Sequence, residues 1–420
     1  MLRTELSKQI RVAALQAGFD LAGVAPLDAW QDLEFAKSWT EKGYGGEMAY
    51  LRNPKRADPR LILPSAQSVV CVGLVYNTPL PYSTECGTAT PGCAVSNPAQ
   101  PGVAVPPRGW ISRYAWGRDY HQVMRSKLER LRAAIEQLAP GVETRVFVDT
   151  GPIVERAFAR LSGIGWVGKN TCLIHQERGS WLFLAVILTN LDLEPDTPAF
   201  DRCGSCRRCL DACPTGAFVE PYVMDASRCI AYFNIELKGP IPEPFRAAIG
   251  ANLYGCDICQ DVCPWNRPLS VVRGPLSLEK GGSASGESSG FGGQPAAAQQ
   301  RRRAVTTPLD EFLPLQIWMK RSGGEAVQRT TDHGPQTPER FSLLNPRLED
   351  LAALTEDDFR RIFRDSPIKR VKYRGWLGNL CVAMGNSGEA RFVPWLQQLR
   401  THEDGVVREH AAWALAKLQS

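Results

Sequence analysis

The sequence predicts an α/β domain, then a small module built on cysteines, then an all-helical tail. Three observations predict this order. Helical and strand-like segments alternate over residues 1–195, eight of the thirteen cysteines fall between positions 203 and 263, and residues 341–420 carry helical patterning without strand signals. A chain of 420 residues with 44% hydrophobic content can bury a large core divided among roughly two to four domains, which excludes a disordered or fibrous protein.

The elements follow in chain order. "ELSKQIRVAALQAG" is patterned as a helix, "SVVCVGLVY" as a buried strand, "SKLERLRAAIEQL" as an amphipathic helix, "TRVFV" as a strand and "IVERAFARLSG" as a helix, together a sheet-centred α/β domain. "WLFLAVIL" at 181–188 is far shorter than the ~20 apolar residues of a membrane helix and is expected as a buried strand. Residues 84–107, rich in Pro, Gly, Thr and Ser, are expected as a surface insertion carrying Cys86 and Cys93. The stretch from 279, "EKGGSASGESSGFGGQPAAAQQRRR", cannot build a core and places a flexible linker or insertion over 271–340. In the tail, Thr355 followed three residues later by Asp358 is a capping pattern at the head of "TEDDFRRIF". "NLCVAMGN" at 379 and "HAAWALAK" at 410 share a small-apolar pattern about one helical hairpin apart, which predicts a short solenoid of paired helices.

The N-terminus mixes charge with apolar residues and lacks the features of a secretory signal, so a cytoplasmic protein without membrane spans is expected. Cytosolic thiols stay reduced, so thirteen cysteines argue for metal ligation before disulfides. A net charge of +5 is too mild to announce a nucleic-acid partner by itself.

Cys203, Cys206, Cys209 and Cys213, followed by Pro214, form C-x2-C-x2-C-x3-C-P, the bacterial ferredoxin run whose fourth cysteine serves the other cluster. Cys256, Cys259 and Cys263 repeat the end of that run, and Cys229 supplies the missing member. The expected ligand sets are Cys203, Cys206, Cys209 and Cys263 for one cluster, and Cys213, Cys229, Cys256 and Cys259 for the other. A pair of four-cysteine zinc sites is the plain alternative, but zinc has no need of two C-x3-C-P relays. Cys71, Cys172 and Cys381 sit among apolar residues and are expected in the core.

Two clusters hand on single electrons, so substrate or a second cofactor belongs to the α/β domain. That domain has no G-x-G-x-x-G after a strand, no Walker A loop and no D-x-H-x-x-G segment. Asp149, between the strand "TRVFV" and a Thr-Gly-Pro turn into a helix, is either an N-terminal cap of that helix or an acid at the mouth of the sheet.

"KRADPRLILPSAQSVV" (55–70), "SRYAWGRDYH" (112–121), "VDTGPIVERAFA" (148–159), "GIGWVGKNTCLI" (163–174), "RCIAYFNIELKG" (228–239) and "YGCDICQDVCPWN" (254–266), with the first cysteine run, resemble the epoxyqueuosine reductase family over most of 1–268 and again over about 345–420. The resemblance implies a cobalamin-binding α/β domain over 1–195, a ferredoxin-like domain with two [4Fe–4S] clusters over 196–270 and an all-α HEAT-like tRNA-binding domain over 341–420. It implies reduction of epoxyqueuosine to queuosine at the tRNA wobble position, with Asp149 as proton donor, its pKa raised by burial beside the corrin. Cobalamin contacts would come from Arg56, Ser112, Asp149, Asn170, Leu173, Ile230 and Ala231. An external electron donor and a monomer complete the expectation.

Residues 360–374 carry seven basic side chains against Asp365. Such a run is either a solvated helix face or a track for RNA phosphates, and Lys369, Arg370, Lys372 and Arg374 are the expected tRNA contacts. Gly378 stands before Asn379 where the family usually has arginine, which removes one expected phosphate contact. Two other readings compete. A reductive dehalogenase would pair cobalamin with the same clusters but usually carries a twin-arginine signal, and a non-catalytic ferredoxin-type carrier would bind no corrin.

Overall fold

The structure, a computed structural model, describes residues 2–83, 107–266, 309–318, 329–330 and 340–420. Its first part runs α1 (Arg3–Gln16), β1 (Leu21–Pro26), α2 (Trp30–Glu41), β2 (Ser68–Val75), β3 (Trp110–Ile111), α3 (Tyr120–Leu138), β4 (Thr144–Phe147), α4 (Glu155–Leu161), β5 (Trp166–Val167), β6 (Leu173–Ile174) and β7 (Leu182–Thr189). The main sheet has the order β1-β2-β7-β4, and every neighbouring pair is antiparallel. Helices and strands alternate along the chain as expected, but no parallel crossover links the strands of this sheet.

Both faces of the sheet are covered, which explains why β2 is a continuous apolar run. Every residue of β2 is buried. Val70, Val72 and Leu74 pack with Ile10 and Ala14 of α1 and with Met124, Leu128 and Leu131 of α3. Val69 and Cys71 turn to the other face, against Phe158 and Ala159 of α4. The alternation of period two sorts one strand into two cores. Helix α4 approaches β1 so closely that a Cβ on Gly23 would lie 2.2 Å from the Ser162 carbonyl oxygen.

The cysteine-rich part contains α5 (Arg208–Asp211), β8 (Phe218–Glu220), β9 (Val223–Met224), one turn of π-helix (Tyr232–Glu236), α6 (Glu243–Ile249), β10 (Asn252–Tyr254) and α7 (Ile258–Asp261). Strand β10 pairs in parallel with β3 and so ties this module to the first domain. Below the junction Asp257 is buried, accepting from Ser112 Oγ, from the Trp110 indole N–H at 3.1 Å and from the Arg113 backbone N–H at 2.8 Å.

The expectation of a flexible linker across 271–340 needs correction at its end. Strands β11 (Gln316–Trp318), β12 (Arg329–Thr330) and β13 (Arg340–Ser342) form a three-stranded sheet, and Phe312 and Leu315 are buried. The apolar residues of "EFLPL" give that stretch a core to join, which the Gly/Ser-rich part lacks. The Gly/Ser-rich stretch itself, the insertion at 84–106 and Cys86 and Cys93 lie outside the described residues.

The tail folds as α8 (Leu348–Ala352), α9 (Glu356–Ile362), α10 (Lys372–Ser387), α11 (Val393–Leu399) and α12 (Gly405–Gln419). The capping box at the head of α9 is formed in both directions between Thr355 and Asp358. "NLCVAMGN" lies in α10 and "HAAWALAK" in α12, and these helices pack on each other through Cys381, Met384, Ala411 and Ala414. The same core takes in Trp110, Trp116 and Tyr254, so the tail is joined to the other two parts. Among the described residues no helix is long and apolar enough to cross a membrane.

Candidate functional site

Asp149 follows β4 in a left-handed backbone conformation, φ 57°. Aspartate tolerates this region better than most residues, yet it still costs on the order of 1 kcal/mol, so the surroundings must hold it there. The cap alternative falls away. The N-cap of α4 is Val154, with no side-chain cap bond, and the Asp149 carboxylate points instead to the start of α3. There Oδ2 accepts from the Tyr120 hydroxyl at 2.8 Å and lies 3.3 Å from His121 Nε2.

Helix α3 begins six residues before the expected "SKLERLRAAIEQL", and its extra turn carries the chemistry. Asp119 is the N-cap and accepts from the His121 backbone N–H at 3.1 Å. The same carboxylate reaches His121 Nδ1 at 2.7 Å and Lys369 Nζ at 2.8 Å. Tyr120 stacks between His121 and Phe183, with centroid separations of 4.1 and 4.4 Å. Burial opposes charge on His121, but the flanking carboxylates of Asp119 and Asp149 outweigh it and raise its pKa to about 9. Burial likewise works against the Asp149 carboxylate, yet His121, Tyr120 and the charge of Arg370 pull its pKa below the ordinary value. The protein groups around Asp149 thus favour its anion, and the two flanking carboxylates favour a proton on His121.

Around this pair, Arg56 makes one long contact, Nη1 to the Gly151 carbonyl at 3.4 Å. Glu155 is half-buried, its carboxyl desolvated so that its pKa rises to about 7, and its enclosed Oε1 has no partner. Arg370 pairs with Glu236 at 2.7 Å and sits 6.0 Å from the Tyr50 ring.

The remaining expected cobalamin contacts are more enclosed. Ser112 is buried on Asp257. Leu173 and Ile230 are 4% and 2% exposed in two different cores, and Ala231 is half-buried at the start of the π-helix. Asn170 is 3% exposed and donates to the Cys259 carbonyl at 3.3 Å. Side chains so engaged leave mainly their backbone groups for a ligand.

The cysteines gather as two sets. Cys203, Cys206, Cys209 and Cys263 line one cavity of about 300 Å³ together with Lys169, Asn170 and Trp265. In the other set, burial first and neighbouring thiols second raise the pKa of Cys229, to about 11, and of Cys256; the neighbours include Cys213 for both. Cys259 feels Cys172 foremost, then burial, Cys256 and Cys229. Cys71 and Cys381 are buried core residues as expected, whereas Cys172 is only half-buried, and the neighbouring Cys259 draws its pKa down. The segment 169–172 touches both sets, since Lys169 donates to the carbonyls of Gly204 and Cys206 while Asn170 holds Cys259.

Comparison with known proteins decides the relationship. The 4Fe-4S double cluster binding domain matches residues 202–266, and the family described as epoxyqueuosine reductase QueG, DUF1730, matches residues 56–150. An epoxyqueuosine reductase of Synechocystis sp. is 39% identical, covering 83% of this chain and 95% of its own. That of Escherichia coli (strain K12) is 32% identical, covering 98% and 89%. The chain belongs to the epoxyqueuosine reductase family. A crystal structure of epoxyqueuosine reductase with an epoxyqueuosine-modified tRNA stem loop superposes with a TM-score of 0.73 at 29% identity, over 99% of this chain and 91% of that one. The Streptococcus thermophilus epoxyqueuosine reductase superposes with a TM-score of 0.70 at 26% identity, over 98% and 90%.

Within this epoxyqueuosine reductase family member, sequence reasoning missed Asp119, Tyr120, His121 and Glu155. The first three lie inside the quoted "SRYAWGRDYH", and the available signal was an N-cap aspartate two residues before a histidine. Of the basic run, Lys369, Arg370 and Arg374 are already paired, with Asp119, Glu236 and Asp404. Lys372 is exposed at the start of α10.

Proposed function

We propose that this protein reduces epoxyqueuosine to queuosine in tRNA, at the wobble position. The reading is supported by one conjunction: four cysteines lining a cavity and an Asp149–His121 pair, in a fold that superposes with a TM-score of 0.73 on a tRNA-bound epoxyqueuosine reductase. Cys203, Cys206, Cys209 and Cys263 would hold one [4Fe–4S] cluster and Cys213, Cys229, Cys256 and Cys259 the other, passing electrons inward from an external one-electron donor.

The donor set also suits cobalamin. Arg56 has unspent donors and Glu155 an unpartnered buried acceptor, a combination that the peripheral amides of a corrin can satisfy. Ser112, Asn170, Leu173, Ile230 and Ala231 would add contacts, mainly through backbone. When bound, cobalamin supplies a low-potential metal centre for delivering electrons to the oxirane. Asp149 delivers the proton that lets the oxygen leave. Lys369, Arg370, Lys372 and Arg374 face the tRNA backbone; three of them would share their charge between phosphate and their present carboxylate partners. A target base in an anticodon loop is already unpaired, so no duplex-opening element is needed.

The test is anaerobic reaction with epoxyqueuosine-bearing tRNA, a strong reductant and reconstituted clusters, with and without cobalamin. Queuosine formation that requires cobalamin is expected. Absence of queuosine under these conditions defeats the proposal; corrin binding without turnover then points to dehalogenase-like chemistry and no corrin binding to an electron carrier. Asp149→Asn is expected to lower turnover at least ~10²-fold while cobalamin and cluster absorption persist.

A further inference from the structure

Asp149 is an anion at rest, and an anion can give only a proton it has first received. The structure puts a supplier beside it. His121 Nε2 lies 3.3 Å from Asp149 Oδ2, and its Nδ1 is fixed at 2.7 Å by Asp119. The outer flank of the same imidazole opens on a surface recess of about 340 Å³, shared with Gln122, Arg125, Ser126 and Glu129.

We propose that His121 is the proton relay of the site, taking protons from water in the recess and handing them to Asp149. The inference rests on the reduction proposed above. Converting an oxirane to an alkene breaks both C–O bonds, forms a C=C bond and releases the oxygen as water. It consumes two electrons, entering through the clusters from a one-electron donor, and two protons. Each proton leaves Asp149 for the oxygen, is replaced from His121 Nε2, and is restored to His121 from the recess, so the relay turns twice per product.

The charges around the imidazole fit the role. Asp119 and Asp149 favour the imidazolium, and the Nδ1 proton stays on the ring, donated to Asp119, while the Nε2 proton moves, which fixes the tautomer. Lys369 on Asp119 and Arg370 near Asp149 hold both carboxylates anionic, so neither keeps the proton. Tyr120 is a poor alternative because burial and Asp149 push its pKa far up; its hydroxyl orients Oδ2 instead. His121 is also the second residue of α3, where the helix dipole opposes a cation. A charge held against that field needs both carboxylates.

Two measurements test this. In protein labelled at its five histidines, one imidazole, absent from His121→Gln, is expected to titrate near pH 9 by NMR and to fall toward the ordinary value in Asp149→Asn. In the tRNA assay, His121→Gln is expected to lose ~10²-fold in kcat with a far smaller change in KM for tRNA and intact cluster absorption, and His121→Ala to regain activity with added imidazole. Wild-type kcat in His121→Gln, or an imidazole titrating at its ordinary value, overturns the relay but leaves the acid role of Asp149 standing. A wild-type protein inactive on the tRNA overturns both.

Discussion

Replacing Asp119 by asparagine separates the charge of this residue from its role as a helix cap. Asparagine caps a helix as well as aspartate does, so the bond to the His121 backbone survives and what is lost is the anion between His121 and Lys369. A pKa raised from 6.5 to about 9 corresponds to roughly 3 kcal/mol of preference for imidazolium. Asp119, at 2.7 Å against 3.3 Å for Asp149, holds the larger share, about 2 kcal/mol. The Lys369 pair is half exposed on the lysine side and adds at most ~1 kcal/mol.

The pH dependence separates these contributions. His121 gains a proton affinity on folding, so its contribution is complete below its ordinary pKa and disappears as the pH rises through about 9. Asp119 is held below the ordinary carboxylate range by His121 and Lys369 against the opposing effect of burial, so its contribution is present above pH ~4 and lost on acidification. Between pH ~4 and ~6.5 both operate. Thermal unfolding of Asp119→Asn should show a deficit of ~4–12 °C near pH 6, at about 2–4 °C per kcal/mol, narrowing to the lysine contribution by pH 10. A deficit of constant size from pH 6 to 10 would refute the assignment of the proton to His121.

Three further outcomes follow from the same geometry. Cys263→Ser and Cys213→Ser should each remove a different cluster, lowering reconstituted iron from about eight to about four per chain, and loss of the same cluster in both variants would disprove the exchange of ligands between the two motifs. Glu155→Gln should stabilise the protein at pH 8 by up to ~3 kcal/mol and leave it unchanged at pH 4: the buried carboxyl has its pKa raised to about 7, so its favourable protonated state is lost as pH rises through that value. An equal effect at both pH values contradicts this. Lys372→Ala should weaken tRNA binding and lower the slope of log K against log salt by about one, measured by filter binding, whereas an unchanged slope removes Lys372 from the phosphate contacts.

What was legible in the sequence had a period or a spacing behind it. The buried strand at 68–75, the capping box of α9, and the association of Cys263 with the first three cysteines were all read from local pattern, and each appears in the structure. The extra turn of α3 was not read, because Asp119, Tyr120 and His121 precede the amphipathic repeat and are chosen for their side chains' partners. Cys172 misled for a related reason: apolar neighbours in sequence predicted a core thiol, but the loop at 168–172 is drawn onto Cys259. Asp149 kept two meanings until its backbone angle and the absence of a cap bond at α4 separated them.

The basic run shows most clearly why the site could not be assembled from one stretch. Lys369 and Arg370 precede α10 in the tail, yet they pair with Asp119 at the head of α3 and with Glu236 on the π-helix after Cys229. One short segment therefore touches the acid end of the first domain and the second cluster's module together, and the shared core of Trp110, Tyr254 and Trp376 holds it there. A phosphate that draws Lys369 from Asp119 would leave Asp119 to His121 alone, raising the affinity of the imidazole for its proton. Substrate binding and proton supply would then be linked through one carboxylate. The link has a direction: the wild-type imidazole should titrate higher with a tRNA stem loop bound than without it, and in Lys369→Met the binding of RNA should no longer move it.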